Sequence, residues 1–216
     1  PGSIFKVITA SAALESRKYR PESGFNDPGY CTVYGRRVNN FDTSSPFGQL
    51  TLEAALTYSV NSVFCNIGKA MGAKAILDTA KAFGFYERPP LETPTDERRP
   101  SGLYDGGRLY YPKVDRNVDA GRMAFGQERM LVTPLQMAMV AGTFGVGGKL
   151  REPQAVDRIV APDGSVVLRQ RPVLIRQAVS PETAAAVAQM MRFAVERGTG
   201  TAAQIPGWSV GGKTGT

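Results

Sequence analysis

The chain has 216 residues, 42% of them hydrophobic, with 24 glycines and 15 prolines, which is the composition of a globular domain and excludes wholesale disorder. It contains no histidine, which excludes Ser-His-Asp and Cys-His machinery and any histidine-ligated metal, so the base in any nucleophilic chemistry here is a lysine, a carboxylate or a tyrosine. The net charge of +7 comes from basic residues that are scattered rather than stacked on one helix face, and no nucleic-acid motif accompanies them, so no nucleic-acid partner is expected.

In chain order, residues 4–14 are apolar on nearly all sides, which predicts a helix buried in the middle of a domain. Pro1-Gly2 sets its start and Ser3 falls in the first turn. Residues 30–41 predict short strands punctuated at Gly35-Arg36-Arg37 and Asn39-Asn40. Thr51 is an N-cap candidate for a helix over 52–56, and a second helix follows Tyr58-Ser59-Val60-Asn61 over about 62–71. A third, over 73–83, sets Ala75, Ile76, Ala80 and Phe83 on one face and Lys74, Asp78 and Lys81 on the other. Residues 87–118 carry Pro89, Pro90, Pro94, Pro100 and Pro112 and read as the least regular region, a solvated loop or a mobile lid. Thr133-Pro134 starts a helix that ends in the glycine-rich 145–148. Strands at 157–160 and 166–168 flank Pro162-Asp163-Gly164, a hairpin signal. Ser180-Pro181-Glu182 caps a helix that runs to Arg197 and stops at Gly198, and 208–214 reads as a terminal strand.

No internal repeat and no second composition regime appear, so the reading is one domain of mixed α/β (α+β) class. The chain opens at a helix start and closes inside an expected strand, with no signal peptide or transmembrane run, and is read as a segment of a longer protein. Cys31 and Cys65 fit neither a metal spacing nor a Cys-x-x-Cys motif. They are either a disulfide of an oxidising compartment or two buried thiols, and sequence distance does not decide between the two.

Three short motifs carry the chemistry: Ser3-Ile4-Phe5-Lys6, Ser59-Val60-Asn61 and Lys213-Thr214-Gly215. Helical residues three apart share a face, which brings the Lys6 amine within reach of the Ser3 hydroxyl. A lysine inside an apolar helix loses solvent, favours its neutral form and becomes a general base that needs no histidine. Ser3 at a helix start also has a backbone N–H free to meet an oxyanion. Taken alone, the same residues read more readily as a cap and a snorkelling lysine. Ser59 and Asn61 place a hydroxyl and an amide on one side of a turn, suited to relaying a proton and holding a substrate amide, or simply to joining two helices. Lys213, Thr214 and Thr216 supply a cation and two hydroxyls for a carboxylate along a strand edge, or an ordinary edge strand blunted by lysine.

In this order and spacing the trio resembles the transpeptidase domain of penicillin-binding proteins. Pro1-Gly2-Ser3-Ile4-Phe5-Lys6, Ala124-Phe125-Gly126-Gln127 before Val132-Thr133-Pro134-Leu135-Gln136, and Gly198-Thr199-Gly200-Thr201-Ala202 extend the likeness over the whole chain. The Gly-Gln before Thr-Pro-Leu-Gln is closer to the class B, monofunctional enzymes. The resemblance implies a five-stranded antiparallel sheet flanked by helices, joined to an α-helical subdomain that bears the Ser-x-Asn motif. The strands and helix that would precede Ser3 and follow Thr216 are not in this sequence, so residues 1–216 read as an incomplete transpeptidase domain whose α/β half is poorly ordered alone or rescued by association.

The resemblance further implies that Ser3 attacks the penultimate D-alanine of a peptidoglycan stem peptide, with Lys6 as base, Ser59 as proton relay and Asn61 on a substrate amide. Lys213, Thr214 and Thr216 would bind the terminal carboxylate, and the N–H groups of Ser3 and Thr216 would form the oxyanion hole. It implies no cofactor and no metal, β-lactams as acylating ligands, and cell-wall synthesis proteins as partners of a longer, membrane-anchored extracytoplasmic bacterial protein. Glu128 departs from the family, which commonly has glycine after Gly-Gln. Class D β-lactamases and β-lactam sensor domains share two of the motifs but carry an aliphatic residue where Asn61 stands. A non-catalytic wall-synthesis scaffold is a third reading, against which the intact Ser3, Lys6, Ser59, Asn61 and Lys213 stand.

Overall fold

The structure, a computed structural model, describes residues 1–41, 45–113 and 117–215. Its centre is α1 (Lys6–Glu15), entered through a 3-10 turn at Gly2–Phe5. Every residue from Phe5 to Ala13 is buried, so the helix meets solvent only at its last residues, as its all-round apolar sequence predicts. Its two buried hydroxyls are satisfied: Thr9 donates to the Ala124 carbonyl at 2.6 Å and Ser11 to Val7 at 2.8 Å. Around α1 pack α2 (Leu52–Thr57), α3 (Asn61–Met71), α4 (Ala73–Ala82) and α7 (Pro181–Glu196). The short α5 (Ala120–Met123) lies against α3, and α6 (Pro134–Gly145) against α7.

The helix starts follow their capping chemistry. Thr51, Asp119, Thr133 and Ser180 each accept a backbone N–H of the first turn, and Pro134 and Pro181 stand at the positions where a missing N–H costs nothing. On α4, Ile76, Leu77 and Ala80 face inward, whereas Ala75, expected on that face, is exposed.

All strand pairs are antiparallel and short. β1 (Gly24–Asp27) pairs with β4 (Gly48–Thr51), which runs directly into α2, and β2 (Tyr30–Val33) forms a hairpin with β3 (Arg36–Asn39). β5 (Gly102–Asp105) is the middle of a three-stranded sheet between β6 (Arg108–Tyr110) and β7 (Met130–Leu131). β8 (Lys149–Arg151) pairs with β11 (Leu174–Gln177), and β9 (Arg158–Val160) with β10 (Val166–Arg169) across the expected turn. The fold is thus mixed α/β with open antiparallel sheets and flanking helices, the sheet content of the described residues being distributed over five small pieces.

Two readings of the sequence need correction. Residues 87–118 are not irregular throughout: β5 and β6 alternate around Gly106-Gly107, both with positive φ, and the prolines bracket this hairpin rather than interrupt it. The expected strand at 208–214 is not formed. A strand exists only with a ladder partner, and among the described residues none pairs with this segment; Gly212 N–H instead donates to the Met191 carbonyl of α7.

The cysteines are joined, Cys31 of β2 to Cys65 of α3. This fixes the β2–β3 hairpin to the helix that begins at Asn61.

Candidate active site

A cleft of about 640 Å³ opens where the start of α1, the turn between α2 and α3, and the C-terminal segment meet. Ser3 and Gly2 lie on one side, Tyr58, Ser59 and Asn61 on another, and Gly198, Thr199, Thr214 and Gly215 on the third. Phe41, Phe47 and Phe125 supply apolar walls, and Phe47 stacks on Tyr58 with ring centroids 5.3 Å apart.

Lys6, wholly buried, extends from the first residue of α1 to the α2–α3 turn. Its Nζ lies 2.6 Å from the Ser59 carbonyl, 2.7 Å from Asn61 Oδ1 and 3.1 Å from Ser59 Oγ. Burial, with a lesser contribution from the nearby Lys213 charge, lowers its pKa from 10.5 to about 6. Lys213 Nζ donates to the same Ser59 Oγ at 2.8 Å and to the Thr214 carbonyl at 3.1 Å; burial lowers its pKa to about 8. Ser59 is therefore the joint between two amines. It occupies the left-handed region at φ +60°, a conformation a non-glycine residue holds only where its surroundings enforce it. Asn61 Nδ2 in turn donates to the Asn39 carbonyl at 3.0 Å.

The three motifs thus converge. Ser3, Lys6, Ser59, Asn61, Lys213 and Thr214 all stand at or beside the cleft, while Thr216 lies outside the described residues. Among the described residues Ser3 Oγ and Lys6 Nζ are not hydrogen-bonded to one another; the lysine is held by the Ser-x-Asn turn instead.

Sequence reasoning passed over several members of the site. Thr199 Oγ1 is 2.7 Å from Thr214 Oγ1, and its signal was the Gly198-Thr199-Gly200 run. Gly198 is required there because a Cβ would stand 2.3 Å from the Thr57 carbonyl. Gly126, at φ +80°, presses against the turn that carries Ser3 so closely that a Cβ would lie 1.9 Å from the Gly2 carbonyl, and its own carbonyl accepts the Gly2 N–H at 3.0 Å. Phe47 and Tyr58 carried no readable signal. The departure at Glu128 also finds its physical meaning: the residue sits at φ +63°, where glycine is unstrained, and its carboxylate pairs with Arg129 Nε at 3.2 Å. Among the described residues no group of three or more Cys, Asp or Glu side chains is placed to hold a metal.

Ser3 at the entry to α1, a lysine stripped of solvent and a second lysine across a shared hydroxyl thus meet at one cleft. The chain belongs to the penicillin-binding protein transpeptidase domain family, whose profile matches residues 1–216. It is 30% identical over its whole length to "Stage V sporulation protein D" of Bacillus subtilis, covering 32% of that protein, and 30% identical to "Peptidoglycan D,D-transpeptidase PbpA" of Mycolicibacterium smegmatis, covering 42%. Among solved structures, the D,D-transpeptidase domain of a peptidoglycan glycosyltransferase from Eggerthella lenta matches at TM-score 0.82 and 31% identity over the whole chain and 53% of the other. Penicillin-binding protein A of M. tuberculosis, as an imipenem acyl-enzyme complex, matches at TM-score 0.81 and 29% identity over the whole chain and 48% of the other. The chain therefore spans roughly a third to a half of the length of these relatives.

Proposed function

We propose that the chain carries the acyl-transfer site of a serine D,D-transpeptidase that cross-links peptidoglycan stem peptides and is acylated by β-lactams. The observation that carries this reading is the buried Lys6, three residues after Ser3 and held by Ser59 and Asn61, with Lys213 bonded to the same Ser59 hydroxyl and Ser3 lining the same cleft. Lys6 Nζ donates to three acceptors on one turn, the Ser59 carbonyl, Asn61 Oδ1 and Ser59 Oγ, and the last of these also accepts from Lys213. An aliphatic residue at position 61, as a class D β-lactamase carries, would leave that amine one acceptor short.

In the proposed reaction Ser3 Oγ attacks the carbonyl carbon of the penultimate D-alanine, and its proton passes to Lys6 Nζ. The C–N bond to the terminal D-alanine breaks, and the departing amine takes a proton through Ser59. An acceptor amine from a neighbouring strand then attacks the Ser3 ester, restoring the hydroxyl and leaving a new amide bond. Lys213, Thr214 and Thr216 bind the terminal carboxylate, and Asn61 holds the donor's amide. The names of the relatives support the substrate class, and the acyl-enzyme complex of the tuberculosis protein supports β-lactams as ligands.

An extracytoplasmic location, with wall-synthesis proteins as partners of a membrane-anchored parent, follows from the same kinship and suits the Cys31–Cys65 disulfide, a bond of oxidising compartments. No helix among the described residues is long and apolar enough to cross a membrane.

Intact-mass spectrometry after incubation with benzylpenicillin tests the reading. A single adduct on the chain that is absent from Ser3→Ala is expected; no adduct on either this chain or a longer form that includes it overturns the proposal.

A further inference from the structure

Asp27, at the end of β1, is 1% exposed and lies behind the cleft. Among the described residues its carboxylate receives five hydrogen bonds: two from Asn40 Nδ2 at 3.0 and 2.8 Å, one from Ser62 Oγ at 2.5 Å, and one each from the backbone N–H of Gly29 at 2.8 Å and Phe47 at 3.0 Å. Among the described residues no cation is ion-paired with it. Burial pushes its pKa up, but the hydrogen bonds from Ser62, Phe47, Gly29 and Asn40 outweigh this and hold the carboxyl below the usual range. The charge is therefore kept, and it faces the start of α3, where the helix dipole favours an anion.

The N-cap of α3 is Val60, which has no side-chain acceptor, yet the first N–H groups of a helix require one. The acceptors come from elsewhere in the fold: Asn40 Oδ1 takes the Ser62 N–H at 3.0 Å, and Asp27 takes the Ser62 hydroxyl. Asn61, the first residue of the helix, is thereby spared any capping duty, and its amide is free to span Lys6 Nζ and the Asn39 carbonyl. The same carboxylate fixes Phe47 of the aromatic wall through its N–H.

We propose that Asp27 is a positioning residue for the amide-holding side of the cleft, acting through Asn40 and Ser62 on Asn61 and through the backbone on Phe47. The proposal rests on the acyl-transfer reading for its activity readout, and on the placement of Asn61 alone for its second readout.

Acylation rates of wild type and Asp27→Asn are compared with benzylpenicillin, which carries a side-chain amide, and with 6-aminopenicillanic acid, which has the same reactive ring without that amide. The expected result is a fall of about tenfold for benzylpenicillin, the factor one lost hydrogen bond removes, with 6-aminopenicillanic acid changing by no more than about threefold. Ser62→Ala, which removes one small hydroxyl, gives a weaker selectivity of the same sign and serves if Asp27→Asn does not fold. Equal losses on both ligands, or no loss on either, overturn the proposal.

In parallel, the Lys6 amine is titrated by NMR in lysine-labelled protein. Loss of the Asn61 acceptor moves its midpoint further below about 6 in the variant, while an unchanged midpoint overturns the positioning role. If wild type reacts with neither β-lactam, the acyl-transfer reading fails and the titration still decides the role of Asp27.

Discussion

The cleft and the β9–β10 ribbon place polar and apolar groups in opposite ways. Around the cleft, Lys6, Asp27, Asn40 and Ser62 are buried, and each has the partners its chemistry needs. In the ribbon, Ile159, Val160, Val166, Val167 and Leu168 are all exposed, Val167 to 67%, and Arg158 stands directly opposite Arg169. One region keeps ionisable groups out of water, as the proposed acyl transfer, with its neutral amine and fixed amide, would require. The other leaves its β-branched residues in water with neither face covered, where their removal exposes nothing new. Sensitivity to mutation is therefore expected to follow the buried polar groups more closely than the total of apolar side chains.

Replacing Lys6 by Met breaks this contrast most sharply. Acylation by benzylpenicillin is expected to fall by about 10²–10⁴-fold, the contribution of a positioned general base. Stability is expected to move the other way. Lys6 binds its proton far more weakly in the folded chain, at about 6, than in the unfolded chain, at 10.5. Between these values the unfolded state holds more protons, so wild-type stability rises with pH through that window; Met removes the penalty at pH 7. Calorimetry should show a higher Tm, by about 2–4 °C for each kcal/mol recovered.

In the core proper, Ile8→Ala on the fully buried α1 is expected to destabilise by about 2–5 kcal/mol in denaturant titrations. The pH profile of acylation sharpens the same picture with a smaller effect. It should rise through about pH 6 as Lys6 becomes neutral, and fall through about pH 8 as Lys213 loses the charge that binds the carboxylate. A profile flat from pH 5 to 9 would contradict both roles. At the low end, Val167→Thr in the ribbon should change stability by no more than about 0.5 kcal/mol.

How much of this was legible depends on how local the signal is. That Ser3, Lys6, Ser59, Asn61 and Lys213 belong together was readable because each motif packs its residues into three or four consecutive positions. The buried α1, the caps at Thr51, Thr133 and Ser180, and the β9–β10 turn were readable for the same reason. Asp27 and Phe47 were not: an aspartate before Pro28-Gly29 looks like a turn residue, and only the folded chain brings Asn40, Phe47 and Ser62 to it. The segment 208–214 was misread because its Val, Trp and Thr content fits a strand, while strand identity depends on a partner. Cys31 and Cys65 were undecidable until β2 and α3 were placed side by side.

Topologically, the Cys31–Cys65 bond closes a ring of chain. Asn40, Phe47, Tyr58, Ser59 and Asn61 all ride on that ring, whereas Ser3, Lys6 and Lys213 lie outside it. The cleft is thus a seam between a covalently closed loop and the rest of the molecule. A single protease cut within the ring would open the loop without releasing a fragment, so a nicked molecule keeps both sides of the seam attached until it meets a reductant.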